Sequence, residues 1–274
     1  MNHKEDNLSN EELWTKIYGG FRNKICNSCC KHIVSFRDMS YPQPLPYVGP
    51  DFGKDDYKLM FVGIETYCNN RRDNCEETEY DVFPTEQVKS LFFEMEPENN
   101  GYSPFWKWVR RISEQVLQME AEDAFKHIAY SNLHKCQSRK RGGDFCSSDY
   151  AIREELSVNC IQKAGWIYHE IEKIGAKNII VFSGRAHKCL LARIFLGDIE
   201  GTLMRRFDYN NFGSTHSRRR DLFVHLRDEA RRFILTNHPQ GTPHEIRDEI
   251  IRIIRQNDLS SAENWSMPTR YQSA

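Results

Sequence analysis

Four short apolar segments recur along this chain, and sequence with helical character separates each from the next. The segments are Leu59–Gly63, His127–Leu133, Asn178–Phe182 and Arg232–Thr236. Short runs that are almost uniformly apolar are typical of strands buried on both faces, and strands that alternate with helices form parallel sheets. The sequence therefore predicts an α/β fold, a three-layer αβα sandwich around a central four-stranded parallel sheet.

Helix signals precede the second and third predicted strands and follow the fourth. Pro104 suits a first helical position, and the apolar residues that follow it fall on one helical face. The segment 161–174 ends at Gly175, a residue common at helix C-caps, and a last helix is predicted from about Pro243 to Arg255. Residues 1–257 are predicted to form one domain, and the polar residues 258–274 a flexible tail.

Composition narrows the class of protein. The 274 residues carry a formal net charge of −1, so any surface that binds nucleic acid must be local. The chain lacks the apolar run of roughly 20 residues that a membrane span needs, and its polar N-terminus lacks the apolar region of a secretory signal. We expect a cytoplasmic monomer with no membrane association, and no protein partner is evident.

Nine cysteines are many for a cytoplasmic chain, where thiols stay reduced. Their odd number and uneven spacing argue against a disulfide framework. Cys26 and Cys29 form a C-x-x-C pair, a spacing that lets two thiolates share one metal ion or cluster. Metal or cluster ligation is therefore the main alternative to buried, apolar cysteines.

Polar side chains follow three of the predicted strands. Glu65 comes after the first strand, Asn132 ends the second and His238 follows the fourth. The carboxyl ends of parallel strands share one rim of a sheet, where ligands collect. A carboxylate to orient water, an amide to recognise a flat polar ring and a histidine to stabilise a developing anion suit cleavage of an N-glycosidic bond. Each residue alone is equally compatible with a cap or a turn.

Several motifs follow one another in a distinctive order. They are C-x-x-C at Cys26–Cys29, the strand FVGIETY at 61–67, the pair Pro104–Phe105, N-x-x-K-C at Asn132–Cys136, Cys160 before NIIVFSG, and the pair His238–Pro239. Across about residues 20 to 245 this ordered set resembles the uracil-DNA glycosylase superfamily, most closely its iron–sulfur branch, family 4, with family 5 near it.

The resemblance implies a site and a cofactor. It implies that Glu65 and His238 are catalytic, and that four residues contact the base: Gly63, Tyr67, Phe105 and Asn132. It also implies a [4Fe–4S] cluster on Cys26, Cys29, Cys136 and Cys160, held by segments 20–50 and 135–160, the first of which is an N-terminal cluster-binding segment. Cys146 could replace Cys160, Cys30 could replace Cys29, and zinc is the alternative metal.

DNA is the partner that the resemblance implies. Basic residues near glycine and serine are suited to phosphate contact, although such runs are usually solvated surface. The candidates for DNA contact are Arg139, Lys140, Arg141, Arg218, Arg219, Arg220 and Gln240.

The chain also departs from the iron–sulfur branch. Ile64 follows Gly63 where that branch has an acid, and Glu65 takes the place where the classical uracil-DNA glycosylases carry their catalytic aspartate. Tyr67 takes the place of the tyrosine that crowds the base in those enzymes, and Gln240 replaces the usual serine. Together with long insertions at 68–101 and 197–230, these differences indicate a reshaped pocket.

The sequence thus predicts a monofunctional DNA glycosylase that flips out uracil or a modified pyrimidine and leaves an abasic site. One alternative is an antiviral glycosylase that excises a glucosylated hydroxymethylcytosine from phage DNA. Another is a protein that binds DNA, or traps an abasic site covalently, without turnover. A metal scaffold with no active site is a third.

Overall fold

The fold is known from a computed structural model. It describes residues 46–63, 88–89, 92–93, 104–133, 165–182, 204–208, 221–228, 231–239, 242–257 and 263–265.

In the part of the chain that the structure describes, eight strands form a single sheet. They are β1 (Tyr47–Val48), β2 (Leu59–Gly63), β3 (Ala129–Asn132), β4 (Asn178–Phe182), β5 (Met204–Asp208), β6 (Asp221–Asp228), β7 (Arg231–Thr236) and β8 (Glu263–Trp265). Across the sheet the order is β1-β3-β2-β4-β7-β6-β5-β8. The predicted α/β class is confirmed.

The four apolar segments lie side by side in the middle of this sheet. Strands β3, β2, β4 and β7 are neighbours, and each adjacent pair is parallel. Their residues are almost completely buried because helices cover both faces, as the uniformly apolar sequences predict. The prediction of a four-stranded parallel sheet is nevertheless wrong for the sheet as a whole, which is larger and mixed.

Antiparallel strands extend the sheet at both edges. Strand β1 pairs with β3 at one edge, and β6, β5 and β8 continue outward from β7 at the other. Residues 197–230 were interpreted from the sequence as an insertion, although Leu222 and Val224 within them alternate with period two and are buried. Residues 258–274 were predicted to form a flexible tail, and within them Glu263–Trp265 forms β8. Three residues are too few to show an apolar pattern. Strand β8 forms through main-chain hydrogen bonds to β5, and these are not visible in the sequence.

Within the described ranges, the helices that accompany the sheet are α1 (Pro104–Leu117), α2 (Ala121–Lys126), α3 (Trp166–Ile174) and α4 (His244–Gln256), and residues 88–89 and 92–93 are also helical. Pro104 is the first residue of α1, as predicted. Gly175 ends α3 in the left-handed conformation, with φ 75°, and donates its N–H to the Ile171 carbonyl. Helix α4 lies within one residue of its predicted bounds. In the described part of the chain no helix is both long and apolar enough to cross a bilayer.

Two apolar clusters fix the sheet between the helices. On one face, α1, α2 and α4 pack against alternate strand residues such as Phe61, Ile180 and Ile234. On the other face, α3 packs against the residues in between, including Val62 and Val181. Each strand therefore sends successive side chains to opposite layers. The strand residues that face α1 belong to the same face of the sheet as the candidate site.

Candidate functional site

The carboxyl ends of the parallel strands form a continuous rim. Gly63 at the end of β2 is the register partner of Asn132 on β3. Phe182 at the end of β4 is the partner of Thr236 on β7. Alternation along the strands places all four residues on the face covered by α1 and α4.

The order of the strands makes this rim a natural ligand position. From β2 the chain passes to β3 on one side, whereas β4 lies on the other side of β2. In open α/β sheets, such a reversal leaves a crevice beyond the strands, and ligands bind there. The four rim residues lie at or next to this reversal.

Gly63 and Asn132 approach each other closely at the rim. A Cβ atom on Gly63 would lie 2.5 Å from Asn132 Oδ1, nearer than real Cβ atoms come to their neighbours. The Asn132 side chain therefore occupies space that only glycine leaves open. Asn132 itself is 2% exposed, so its amide lies in a confined place.

The amide of Asn132 is held from within its own strand. The Tyr130 hydroxyl donates a hydrogen bond of 2.8 Å to Asn132 Oδ1. Residues two apart on a strand point to the same face, which brings the phenol alongside the amide. The Tyr130 ring packs at 4.7 Å, centroid to centroid, from the indole of Trp106 on α1. Helix α1 thus fixes the phenol, and the phenol fixes the amide.

Phe105 joins the beginning of α1 to the rim. Its ring packs against Phe182 at 5.2 Å and against Tyr130 at 5.7 Å, nearly edge-on in both cases. The same ring lies 6.3 Å from the His238 imidazole, and the two planes differ by 23°. Phe105 is 7% exposed, so it forms part of the wall beside His238.

The turn after β7 positions His238. The Thr242 hydroxyl donates to the His238 carbonyl at 2.7 Å, and the Thr242 amide donates to the Pro239 carbonyl at 3.1 Å. These bonds close the turn before α4 begins at His244. Burial lowers the pKa of His238 below its ordinary value of 6.5, because the apolar wall disfavours the imidazolium. The ring is therefore neutral at pH 7.

The lowered pKa of His238 predicts a pH dependence of stability. Below about pH 6.5 the unfolded chain binds a proton at this histidine that the folded chain resists, so stability falls as the pH is lowered. The loss levels off once the pH is below the lowered pKa of the folded state. Urea unfolding between about pH 5 and 8 should show a shallower pH dependence for His238→Gln than for the native chain. An equal or steeper dependence in His238→Gln would contradict the prediction.

The structure brings together four of the predicted site residues, Gly63, Phe105, Asn132 and His238, at one rim. Several other predicted residues lie outside the described ranges. They are Glu65, Tyr67, Gln240, the cluster ligands Cys26, Cys29, Cys136 and Cys160, and the basic residues 139–141 and 218–220. Within the described ranges no group of three or more His, Cys, Asp or Glu residues could hold a metal ion.

Two residues that shape the rim, Tyr130 and Thr242, were not predicted from the sequence. Tyr130 could have been found from its period-two spacing to Asn132, which places both on one face of a strand. Thr242 carries a weaker signal, as a hydroxyl just before a helix that follows Pro239, and its partner is visible only in the folded turn.

Comparison with known proteins adds no family assignment. The chain matches no protein-family model, and the search of curated proteins finds no match.

Proposed function

We propose that the chain is a monofunctional DNA glycosylase that hydrolyses the N-glycosidic bond of a flipped-out pyrimidine. One observation carries this proposal: Phe105, Asn132 and His238, which come from three distant segments, lie along the carboxyl rim of the parallel sheet, where Phe105 contacts His238 and Tyr130, and Tyr130 contacts Asn132. An aromatic wall, a buried amide and a neutral imidazole are the groups needed to bind a flat heterocycle and to stabilise it as it leaves.

The roles follow from the chemistry of each group. The amide of Asn132 reads the polar edge of the base, and Phe105 supplies the apolar wall on which the ring rests. His238 donates a hydrogen bond to a carbonyl oxygen of the base. That bond strengthens as negative charge develops on the oxygen, so it lowers the energy of the transition state more than that of the bound substrate.

Glu65 is proposed to act on the sugar side of the bond. The water oxygen bonds to the anomeric carbon of the deoxyribose while the bond from that carbon to the base nitrogen breaks. The electron pair of the broken bond leaves with the base, and a proton of the water passes to the Glu65 carboxylate. The products are an abasic site and a free base that His238 holds as its anion.

The direct test uses a panel of DNA duplexes and single strands. One set contains uracil, a second contains hydroxymethylcytosine and a third contains glucosylated hydroxymethylcytosine. We expect alkali-labile sites on at least one substrate, and strong loss of them with Glu65→Gln and with His238→Ala. If the native protein produces no alkali-labile site on any of them, the proposal fails. A heat-stable protein–DNA adduct without strand breaks would instead support covalent trapping of an abasic site.

The panel also separates the two biological settings. Activity confined to uracil indicates base-excision repair, whereas activity confined to glucosylated hydroxymethylcytosine indicates defence against phage.

The proposed [4Fe–4S] cluster on Cys26, Cys29, Cys136 and Cys160 is tested separately. Anaerobically purified protein is expected to absorb near 400 nm, and metal analysis distinguishes iron from zinc. No step of the reaction above depends on the cluster.

A further inference from the structure

The bond between Tyr130 and Asn132 does more than satisfy two buried polar groups. Tyr130 is 6% exposed and Asn132 is 2% exposed, and their contact is 2.8 Å long. The tyrosine ring is confined between Trp106 and Phe105, so the hydroxyl has a fixed position. In the structure the hydroxyl donates to the amide oxygen, so the amide is held with its oxygen toward the phenol, and a half-turn of the amide would break this bond.

Gly63 confines the same oxygen from the neighbouring strand. A Cβ there would come within 2.5 Å of Asn132 Oδ1 and within 3.3 Å of the Tyr130 hydroxyl. The amide oxygen and the hydroxyl therefore both lie beside the main chain of Gly63, which carries no side chain. Burial also raises the pKa of Tyr130 well above its ordinary value of 10.0, so the phenol keeps the proton it donates.

The orientation of an amide matters when it reads a pyrimidine. A base with a carbonyl at its 4-position, such as uracil, offers a donor at N3 and an acceptor at the carbonyl oxygen. A base with an amino group there, such as cytosine or hydroxymethylcytosine, offers the opposite pattern. In one binding pose the two classes require amide orientations that differ by a half-turn. An amide that turns freely accepts both, and an amide that is held accepts one.

We propose that Tyr130 is a specificity-determining residue, and that its hydroxyl holds the Asn132 amide so that the site accepts only one of these two classes of pyrimidine. This inference rests on the proposed function. Tyr130 does not touch the base. It acts as a positioning residue through Asn132, and the quantity it controls is the ratio of the rates on the two classes.

The experiment compares Tyr130→Phe with Tyr47→Phe. Each change deletes one buried hydroxyl that donates one hydrogen bond, since the Tyr47 hydroxyl donates to the Phe125 carbonyl at 3.0 Å. Tyr47 and Tyr130 are register partners on adjacent strands, so the two variants are closely matched. Single-turnover rates are measured on matched duplexes that differ only in uracil or cytosine, and in the corresponding modified bases if the native enzyme requires them.

We expect Tyr130→Phe to reduce the discrimination between the two classes by about tenfold or more, the effect of losing one well-placed neutral hydrogen bond. Most of the change should be a gain on the disfavoured class. Tyr47→Phe should leave the ratio within about threefold of the native value, although it loses a similar bond.

The outcomes separate this inference from the function on which it rests. If the native protein cleaves DNA and Tyr130→Phe leaves the ratio unchanged, the inference is overturned and the glycosylase remains. If the native protein acts on no substrate, both are overturned. Circular dichroism and thermal unfolding establish that each variant folds. If Tyr130→Phe does not fold, Gly63→Ala replaces it, because it disturbs the same amide oxygen from β2. An unchanged ratio in Gly63→Ala then overturns the inference as well.

Discussion

Replacing His238 by alanine is expected to slow cleavage of the N-glycosidic bond by about 10²–10³-fold, with little change in the affinity for DNA. The reason is that the imidazole is neutral, is held by the closed turn at Thr242 and lies beside the aromatic wall of Phe105. Such a donor stabilises charge that exists only as the base departs. Single-turnover rates at saturating enzyme measure the cleavage step, and DNA-binding curves measure the affinity.

His127→Ala is the matched control for this prediction. His127 precedes β3, so it lies at the opposite end of that strand from Asn132, and its Nδ1 lies 3.1 Å from Asp55 Oδ2. The substitution removes a histidine of comparable burial from a place that is remote from the rim. Its cleavage rate should equal that of the native protein below the unfolding temperature. A His238→Ala rate within threefold of native would show that the imidazole has no part in the chemistry.

Gly63→Ala is expected to lower the cleavage rate by about 10²-fold, which is typical when a positioning group is displaced by about 1 Å. The new methyl group would lie 2.5 Å from Asn132 Oδ1, so either the amide or the strand must move. The nearest atom is the end of a side chain, and the fold should therefore persist. We expect a loss of stability of about 1–3 kcal/mol, as for other insertions into packed sites. Activity assays and urea unfolding measure the two quantities.

A double-mutant cycle shows whether the effect of Gly63→Ala runs through the amide. Asn132→Ala removes the atom that the new methyl group would strike. In that background Gly63→Ala should cost almost no further activity, because the two changes act on one contact. Additive losses in the double variant would mean that Gly63 acts on the rim in some other way.

The four central strands could be predicted from the sequence because burial on both faces leaves a direct trace. Every residue of Leu59–Gly63 and of Asn178–Phe182 is buried, and the runs read as apolar for that reason. The edge strands leave weaker traces. Strand β8 has only three residues and depends on pairing with β5, a partner distant in the chain that composition does not reveal.

The candidate site was predictable to the extent that it depends on strand ends. Asn132 and His238 could be placed at one rim because parallel strands align their carboxyl ends. Tyr130 was missed because it lies inside a strand, where an aromatic residue reads simply as core. Its hydroxyl has a role only because the amide it contacts lies at the rim of the same strand.

The α/β class, the positions of the central strands and the kinds of side chain that follow them can be read from the sequence, since they depend on local patterns of apolar and polar residues. The order of the strands, and the residues that become neighbours across them, are visible only in the folded chain. That order places Gly63 against Asn132 and brings Phe105 to His238. Contacts between such distant segments depend on how the whole sheet is assembled, and no local pattern in the chain encodes them.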